Sequence, residues 1–427
     1  MKDTGFSAAD ILLPGKGIEM EKWAVVACDQ YTSEREYWEE ADNFVGTSPS
    51  TLRMILPECY LEDSDKEERI RKADETMHHY LESGVFIEYP DSFILVKRDT
   101  ESGTRYGLVG KLDLEKYDYS PSSLSPIRAT EGTIISRIPP RKEIRKNAIL
   151  EIPHIMVLIS DEKRSVIEPI AEKQGKLEKV YDSPLMLGGG HIEGYLVSDE
   201  DDKAIIYNAL ENIEQKLDPE NPLLYAMGDG NHSLASAKSL WEDVKTTLSE
   251  EERGNHPLRY ALCEIENIFD SGLMFEPIHR SFFDITEEKF LEILSHHAEH
   301  IEKNNAGSIE EAISAINSEK QSFILINGND ISLIKTSGTE KEMPAWTIQS
   351  VIDEMLEKKE GRVDYIHGID SVMKLAENGA LGIILPDISK ETFFASILRD
   401  KAFPRKTFSI GHANEKRYYV EARKIRM

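Results

Sequence analysis

The most constraining feature of the sequence is an abrupt change of pattern near the middle of the chain. Residues 223–227 form a short apolar run of strand length, which Gly228 and Gly230 then interrupt around Asp229. From Leu234 onward, apolar residues recur at spacings of three or four, which is typical of an amphipathic helix. The pattern predicts a strand, a tight turn and a helix start, where unpaired N–H groups and the positive end of the helix dipole favour an anion.

The residues of this turn offer a carboxylate, an amide, an imidazole and a hydroxyl at one helix start: Asp229, Asn231, His232 and Ser233. Such a set could bind and activate a substrate. A structural interpretation accounts for the same residues, because Asp229 or Asn231 could cap the helix and His232 could pack against a neighbour. Both interpretations stay open at this point, since short motifs produce many accidental matches.

Length, composition and charge restrict the class of protein. A chain of 427 residues with 40% hydrophobic residues indicates two or three globular domains, and no apolar run approaches the ~20 residues of a membrane helix. The net charge of −27 repels phosphate backbones, so a nucleic-acid partner is not expected. Three widely separated cysteines and a charged N-terminus without a signal-peptide core predict a cytoplasmic protein without disulfides or cysteine-bound zinc.

A second polar segment follows a Ser/Pro-rich break at residues 120–126. Glu131 lies next to a glycine and between two threonines, where a carboxylate could act as a general base on a hydroxyl. Arg137 follows it, and Arg141 and Arg145 are four residues apart, so they could form a basic rim. The alternative is a solvated helix face with ion pairs to Glu143 and Glu151, which contribute little.

Three further signals allow a structural as well as a functional interpretation. Asp29 follows a predicted buried strand and could contact a ligand, although a turn residue is the simpler interpretation. The glycine-rich loop at residues 187–194 could approach a ligand closely, but it lacks the lysine and hydroxyl of a P-loop. His296 and His300 have the i, i+4 spacing of a metal pair on a helix predicted over residues 285–300. We interpret this predicted helix as a surface helix, because no acidic partner marks the histidine pair as catalytic.

The remaining pattern predicts an α+β fold with mixed sheets. Residues 64–67 form a capping box that opens a helix ending at Gly84. Two β-like runs at residues 322–326 and 331–335 indicate a hairpin, and helices and strands alternate in the part of the chain that follows. Three more β-like runs, which also indicate hairpins, lie in the first third of the chain: residues 85–89, 93–97 and 106–112.

Five spaced blocks resemble the uncharacterised bacterial and archaeal family known as domain of unknown function 1015. The blocks span nearly the whole chain: residues 105–110, 127–133, 229–233, 277–280 and 404–407. Ile127, Glu131 and Thr133 match the family pattern I-x-P-H-E-x-T. The turn matches the family's D-G-H-H-R only in part, because Asn231 replaces a histidine and Ser233 replaces the arginine.

The turn also resembles the phosphate-binding turn of the ParB and sulfiredoxin superfamily, which includes DNA-partition CTPases, sulfiredoxins and free-serine kinases. This resemblance implies a ParB/sulfiredoxin-like core at residues 118–282, between α+β regions at residues 1–117 and 283–427. A sulfiredoxin-like repair activity is excluded because the turn has no cysteine, and a DNA-partition role is excluded by the net charge.

The resemblance to the serine kinases implies a role for each site residue. Glu131 is expected to be the base on a substrate hydroxyl, and Asp229 and His232 to handle phosphate or metal, with Asp229 as the Mg²⁺ ligand. We predict that Glu131, Asp229 and Arg280 line one cleft. The remaining residues are expected to bind phosphate or nucleotide: Gly228, Gly230, Asn231, Ser233, Arg137, His279, Arg280, Lys406 and Thr407.

The function expected on this basis is transfer of a phosphoryl group from ATP or ADP to a small hydroxyl-bearing metabolite. Such chemistry needs positioning and charge neutralisation rather than a covalent nucleophile. The alternative is a nucleotide- or phosphate-binding switch or interaction module without turnover. Loss of the arginine from the turn favours the switch, unless Arg137, Arg280 or Lys406 replaces that charge, whereas the presence of Glu131 speaks against it. The Arg405–Lys406 pair could equally be a solvated basic turn.

Overall fold

The computed structural model describes residues 2–318 and 321–426, which divide into two compact units. Unit 1 comprises Met1–Met274 and Gly411–Met427, and unit 2 comprises Phe275–Ile410. The boundary predicted at residues 117/118 falls inside unit 1. The boundary predicted at residues 282/283 falls inside a strand of unit 2, His279–Phe283.

Within the described residues there are thirteen α-helices, and none of them combines the length and the apolar character needed to cross a membrane. In chain order they are α1 Met20–Trp23, α2 Arg35–Val45, α3 Lys66–Glu82, α4 Ile138–Lys146, α5 Glu168–Ala171, α6 Glu200–Glu214, α7 Asn231–Lys245, α8 Glu250–Asn255, α9 Glu287–Leu294, α10 Ile309–Ser318, α11 Pro344–Glu357, α12 Ile369–Glu377 and α13 Lys390–Asp400.

Strands of two to fifteen residues complete the α+β architecture, which confirms the predicted fold class. In chain order they are β1 Phe6–Ser7, β2 Ala9–Pro14, β3 Val25–Val26, β4 Phe86–Thr100, β5 Gly103–Asp113, β6 Tyr117–Asp118, β7 Ile127–Arg128, β8 Leu150–Glu151, β9 Met156–Ile159, β10 Glu178–Pro184, β11 His191–Val197, β12 Tyr225–Asp229, β13 Tyr260–Asn267, β14 Phe275–Pro277, β15 His279–Phe283, β16 His300–Asn305, β17 Ser322–Asn327, β18 Asp330–Ser337, β19 Arg362–Ile366, β20 Leu381–Ile384, β21 Phe408–Ile410, β22 Tyr418–Tyr419 and β23 Arg423–Lys424.

Unit 1 is built on an eleven-stranded mixed sheet. Nine strands follow the order β10-β11-β4-β5-β13-β9-β12-β7-β6, while β1 pairs with β5 and β2 pairs with β4. The hairpin of β4 and β5 is antiparallel, whereas β13 pairs with β9, and β12 with β7, in parallel. The runs predicted at residues 85–89 and 93–97 belong to the single strand β4. Strand β4 continues through residues 90–92, which separate the two predicted runs. Asp91 adopts a φ of +43° there, and the pairing with β2 shifts its register between Ala9 and Ile11.

The C-terminal segment of the chain, described over residues 411–426, is part of the core of unit 1. Its strand β22 pairs with β3, and β23 pairs with β8. Leu12 and Ala422 exchange two backbone hydrogen bonds of 2.8 and 2.9 Å. Tyr419 and Val420 are almost completely buried. Residues far apart in sequence are therefore neighbours in this unit.

Burial of the charged residues in this segment is compensated by paired partners. Arg417 donates from Nε to Glu264 Oε2 over 2.7 Å and from Nη2 to Glu421 Oε2 over 2.6 Å. Its Nη1 donates to the carbonyl of Pro153 at 2.8 Å, and the Tyr181 hydroxyl donates to Glu421 Oε1 at 2.6 Å. Buried charges are tolerated when they are paired and hydrogen-bonded in this way.

Unit 2 contains a six-stranded sheet of order β16-β18-β17-β20-β15-β19, and β14 pairs separately with β21. The hairpin of β17 and β18 confirms the prediction at residues 322–335. Successive side chains of β17 point to opposite faces. Phe323 and Leu325 pack in one apolar cluster with α9 and α11, whereas Ile324 and Ile326 pack in another with α10 and α12.

Two local predictions are wrong. The capping box expected at residues 64–67 does not form, because α3 begins after Asp65, which makes no side-chain cap. The helix expected over residues 285–300 ends at Leu294, where its buried apolar positions also end, and His300 opens strand β16. The predicted His296–His300 pair therefore does not lie on one helix. Instead His296 pairs with Glu354 of α11 at 2.8 Å.

Candidate functional site

The predicted strand, turn and helix form an ordered element in unit 1. Strand β12 lies between β9 and β7, and α7 begins at Asn231, three residues earlier than the apolar pattern indicated. The early start is possible because Gly230 turns the chain in one residue, with φ of +79°. A Cβ at this position would lie 3.1 Å from the Cα of Ile155, so both the turn and the close packing favour glycine.

The start of α7 is not occupied by a capping side chain from the described residues. Its N-cap is Gly230, and the carboxylate of Asp229 accepts the amide of Gly230 at 2.8 Å rather than an amide of the helix. Two polar atoms in the same region, Asn231 Oδ1 and Thr133 Oγ1, are buried and find no hydrogen-bond partner among the described residues. The capping interpretation of Asp229 and Asn231 is therefore not supported, and the helix start suits an anion.

The loop that carries Glu131 is tied to this turn on both sides of the glutamate. The Thr130 hydroxyl donates to the carbonyl of Met227 at 2.7 Å, and the amide of Ile134 donates to His232 Nε2 at 3.2 Å. The structure thus brings the Glu131 loop and His232 together. Because Nε2 accepts, a neutral His232 carries its proton on Nδ1.

The other turn residues lie in partly accessible positions. Gly228 and Asp229 are half-buried at the end of β12, where the register shifts between Met227 and Asp229. Ser233 is also half-buried, in the first turn of α7. These positions leave the turn open to a ligand rather than sealed in the core.

The predicted basic rim on α4 is only partly available. The guanidinium of Arg141 pairs with Glu58, and that of Arg145 pairs with the buried Glu151. Arg137, which precedes α4, is exposed. The ion pair between Arg145 and Glu151 forms as the alternative interpretation expected, but the side chains of Arg141 and Arg145 are largely buried rather than solvated.

A group of charged residues that the sequence analysis did not assemble lies beside the turn. Lys416 Nζ is 3.4 Å from Asp229 Oδ2, and His154 Nε2 is 3.4 Å from Asp29 Oδ2. His154 Nδ1 lies 2.8 Å from the hydroxyl oxygen of Tyr419. We call the following six residues the charged cluster: Asp29, Glu58, Arg141, His154, Asp229 and Lys416.

Electrostatics link the members of the charged cluster. Burial alone would raise the pKa of Asp29, but His154, a hydrogen bond from Gln30 and the charge of Lys416 hold that pKa well below its ordinary value. Burial alone would lower the pKa of His154, yet the Asp29 carboxylate and, more weakly, Asp229 raise it. Both pKa shifts have the direction that attraction between the Asp29 carboxylate and a protonated His154 produces.

Glu58 adds a third carboxylate to the cluster. Burial raises the pKa of Glu58, and the Arg141 guanidinium opposes that rise. With His154 protonated, the cluster holds three carboxylates and three cations. Asp29 and Asp229 keep 26% and 20% of their side-chain surface exposed, so both can meet a ligand.

The sequence analysis drew attention to Asp29, Arg141 and Asp229 of this cluster, but it did not identify Glu58, His154 or Lys416. His154 has no motif around it beyond the preceding proline, and Lys416 reaches Asp229 from the other end of the chain. Their relation depends on tertiary contacts made by the C-terminal segment, for which the local pattern contains no signal.

The residues around Asp229 do not form a ready-made metal cage. Among the described residues, one group of three possible donors lies within 4.8 Å of one another, namely Asp99, His191 and Glu193. Lys97 and Lys179 already pair with Glu193 at 2.8 and 2.6 Å. Mg²⁺ is commonly held by one or two carboxylates together with substrate phosphates and water, so a Mg²⁺ site at Asp229 would need a bound phosphate to complete it.

Two of the predicted basic residues share one aromatic ring in unit 2. Arg280 is fully buried, its Nη1 donates to the carbonyls of Ile278 and His279, and its Cζ lies 4.4 Å from the centroid of the Tyr365 ring. Lys406 Nζ lies 4.9 Å from the same centroid. These contacts are cation–π interactions. The predicted cleft shared by Glu131, Asp229 and Arg280 stays a prediction.

The other two predicted residues of unit 2, His279 and Thr407, form hydrogen bonds within that unit. His279 is buried, and its Nδ1 accepts the amide of Leu385 at 3.2 Å. Burial lowers the pKa of His279 to about 4, with a further contribution from Arg280, so the imidazole is neutral at pH 7. The Thr407 hydroxyl donates to the carbonyl of Pro404 at 2.6 Å.

Comparisons with known proteins place the chain in a family. The model of the family described as protein of unknown function DUF1015 matches residues 12–355. A comparison with curated proteins finds no match.

Solved structures also resemble the chain, among them the following three. A free serine kinase in complex with AMP has 12% identity and a TM-score of 0.40, covering 74% of this chain and 91% of its own. A conserved hypothetical protein from Pyrococcus furiosus has 14% identity and a TM-score of 0.35, covering 73% and 90%. SbnI with a C-terminal truncation, from Staphylococcus aureus, has 10% identity and a TM-score of 0.37, covering 71% and 82%. At these scores the likenesses carry no argument, and the site is interpreted from its own residues.

Proposed function

We propose, from the premise that this chain belongs to the DUF1015 family, that it is a nucleotide-dependent phosphotransferase acting on a small hydroxyl-bearing metabolite. The observation that carries this proposal is the start of α7, which lacks a side-chain cap and lies beside both Asp229 and the tethered Glu131 loop. ATP or ADP is the proposed nucleotide. Under this proposal residues 118–282 contain the ParB/sulfiredoxin-like core, and the protein is cytoplasmic.

The helix start is the proposed phosphate site. Backbone N–H groups of the first turn and the positive end of the α7 dipole favour a phosphate there. The half-buried Asn231 and Ser233 lie in the same turn and can complete its hydrogen bonds. Asp229, at the end of β12, would hold Mg²⁺ together with the bound phosphate. When bound, the ion neutralises charge that develops on those oxygens.

Glu131 is the proposed base. Thr130 and Ile134 fix its loop to the strand and helix that form the phosphate site. A substrate hydroxyl bound there would therefore lie near both the phosphate and Glu131. As the hydroxyl oxygen forms its bond to the terminal phosphorus, Glu131 takes the hydroxyl proton. The bond between that phosphorus and the bridging oxygen breaks, and the nucleotide leaves with one phosphate fewer.

The test is a turnover assay with ³¹P NMR, using protein, ATP or ADP, Mg²⁺ and pooled small alcohols and hydroxy amino acids. The proposal predicts a new phosphate monoester and a matching amount of shortened nucleotide. Glu131→Gln should lower the turnover rate by about 10²- to 10⁴-fold, because a positioned base contributes that much. The variant should keep the nucleotide affinity, since Glu131 contacts the hydroxyl rather than the nucleotide.

A binding switch without turnover is the second candidate. It is favoured by one observation, which is that residues 229–233 contain neither lysine nor arginine. A switch would bind nucleotide equally well with and without Glu131 and would form no monoester with any pool. Hydrolysis or transfer that depends on Glu131 would exclude it.

A further inference from the structure

We propose that Lys416 is the cation that binds the ligand phosphate at the start of α7. The inference rests on the proposed function and deepens it, because it names the group that recognises a phosphate-bearing anion such as a nucleoside diphosphate. Lys416 lies beyond residues 12–355, the part of the chain that matches the family. Its role therefore comes from the geometry of this chain alone.

The first observation is that Lys416 is largely buried and that its ammonium has only a long contact with an acidic partner. The residue is 8% exposed, and among the described residues its ammonium has one ion pair, at 3.4 Å from Asp229 Oδ2. Charge-assisted hydrogen bonds are about 2.7–2.9 Å long, so the ammonium can still donate to a closer acceptor such as a phosphate oxygen.

Another buried lysine, Lys203, has close acceptors within the chain. Lys203 is 4% exposed, and its Nζ lies 2.6 Å from both Asp91 Oδ2 and Glu200 Oε1. Its ammonium is therefore satisfied within the chain. The ammonium of Lys416 lies beside the α7 start instead, and its charge also acts on Asp29.

The second observation is that the backbone around Lys416 is held on both sides. The carboxylate of the preceding Glu415 accepts the amide and the hydroxyl of Ser102 at 2.8 and 2.9 Å. The carbonyl of the following Arg417 accepts the amide of Ala27 at 3.0 Å. A cation fixed in advance binds a phosphate without the entropy loss of an exposed lysine.

The third observation concerns charge. Residues 229–233 contain no cationic side chain other than His232, whose Nε2 accepts a hydrogen bond from Ile134. A phosphate at this helix start would meet the carboxylate of Asp229 without a compensating cation from the turn. Lys416 supplies that charge beside Asp229, and an ammonium binds phosphate well as a compact point charge.

The test is isothermal titration of the full chain with three probes: ADP, inorganic pyrophosphate and adenosine. Lys416→Met should weaken ADP and pyrophosphate binding by roughly 10- to 100-fold, the range expected for a hydrogen bond to a charged group. Adenosine affinity should stay unchanged, because adenosine has no phosphate. Lys203→Met is the matched control and should keep all wild-type affinities.

One further variant and a folding control distinguish the possible outcomes. Lys416→Arg should retain most of the pyrophosphate affinity, which shows that charge rather than packing is required, and melting curves verify that each variant is folded. Wild-type affinity for ADP and pyrophosphate in Lys416→Met would overturn the inference. Pyrophosphate binding that depends on Lys416, without any nucleotide binding, would support the inference and contradict the proposed function. If the wild-type protein binds neither ADP nor pyrophosphate, both the inference and the proposed function would be overturned.

Discussion

The imidazole of His154 and the carboxylate of Asp29 meet inside unit 1, with Nε2 and Oδ2 3.4 Å apart. The histidine is also 2.8 Å from the hydroxyl oxygen of Tyr419, which in turn accepts the amide of Cys28 at 3.1 Å. This chain of contacts connects the N-terminal loop, the sheet and the C-terminal segment. Its strength should depend on pH, because Asp29 and His154 attract each other only when both are charged.

We predict that His154→Gln lowers the melting temperature most between about pH 4 and pH 6.5, the ordinary pKa values of the two groups. The pKa of His154 is raised in the folded chain, so its contribution is fully present below the unfolded pKa and is lost as pH rises through the folded pKa. The pKa of Asp29 is lowered, so its contribution persists above its unfolded pKa and is lost only in stronger acid. Melting curves of both proteins from pH 5 to pH 9 check this, and a difference that grows toward pH 9 would contradict it.

The turn at Gly230 should not tolerate a side chain. Gly230→Ala is expected to lower the free energy of unfolding by about 1–3 kcal/mol, because alanine is strained at φ of +79° and its Cβ would meet the backbone of Ile155. Gly84→Ala is the control, since φ there is +72° but no atom lies within 4 Å of the new Cβ. Urea denaturation should show the larger loss at Gly230, and equal losses would exclude a role for the close contact.

The buried ion pairs of the C-terminal segment should be essential for stability. Arg417→Met leaves Glu264 and Glu421 buried without their partner, which should cost about 3–5 kcal/mol. Arg71→Met on α3 also removes an arginine with two glutamate partners, but these side chains are exposed, so the cost should stay within about 1 kcal/mol. Equal changes in the free energy of unfolding by urea would show that the buried network contributes little.

The sequence reveals the parts of the site that depend on local pattern. The strand, turn and helix around Asp229 could be predicted, because a short apolar run, two closely spaced glycines and a helical period follow one another. The position of the Glu131 loop beside the turn came from the family resemblance, and the hydrogen bonds of Thr130 and Ile134 supply its physical basis.

The parts that were missed depend on contacts between distant segments. Lys416 and His154 reach the site through the C-terminal segment and the sheet, so their spacing in the sequence carries no information about Asp229. The helix expected over residues 285–300 failed for a related reason. His296 pairs with Glu354, and His300 pairs with Ser337 in a sheet, and both interactions outweigh the local helical pattern.

The most direct test of the central claim is isothermal titration of ADP with and without Mg²⁺. Wild-type protein should bind ADP more tightly with Mg²⁺, and Asp229→Asn should lose that dependence because it lacks the carboxylate that holds the ion. Asp202→Asn is the matched control. Asp202 lies in α6, is similarly buried and pairs with Lys173 at 2.5 Å. No binding by the wild type, or an undiminished Mg²⁺ dependence in Asp229→Asn, would contradict a nucleotide site at the start of α7.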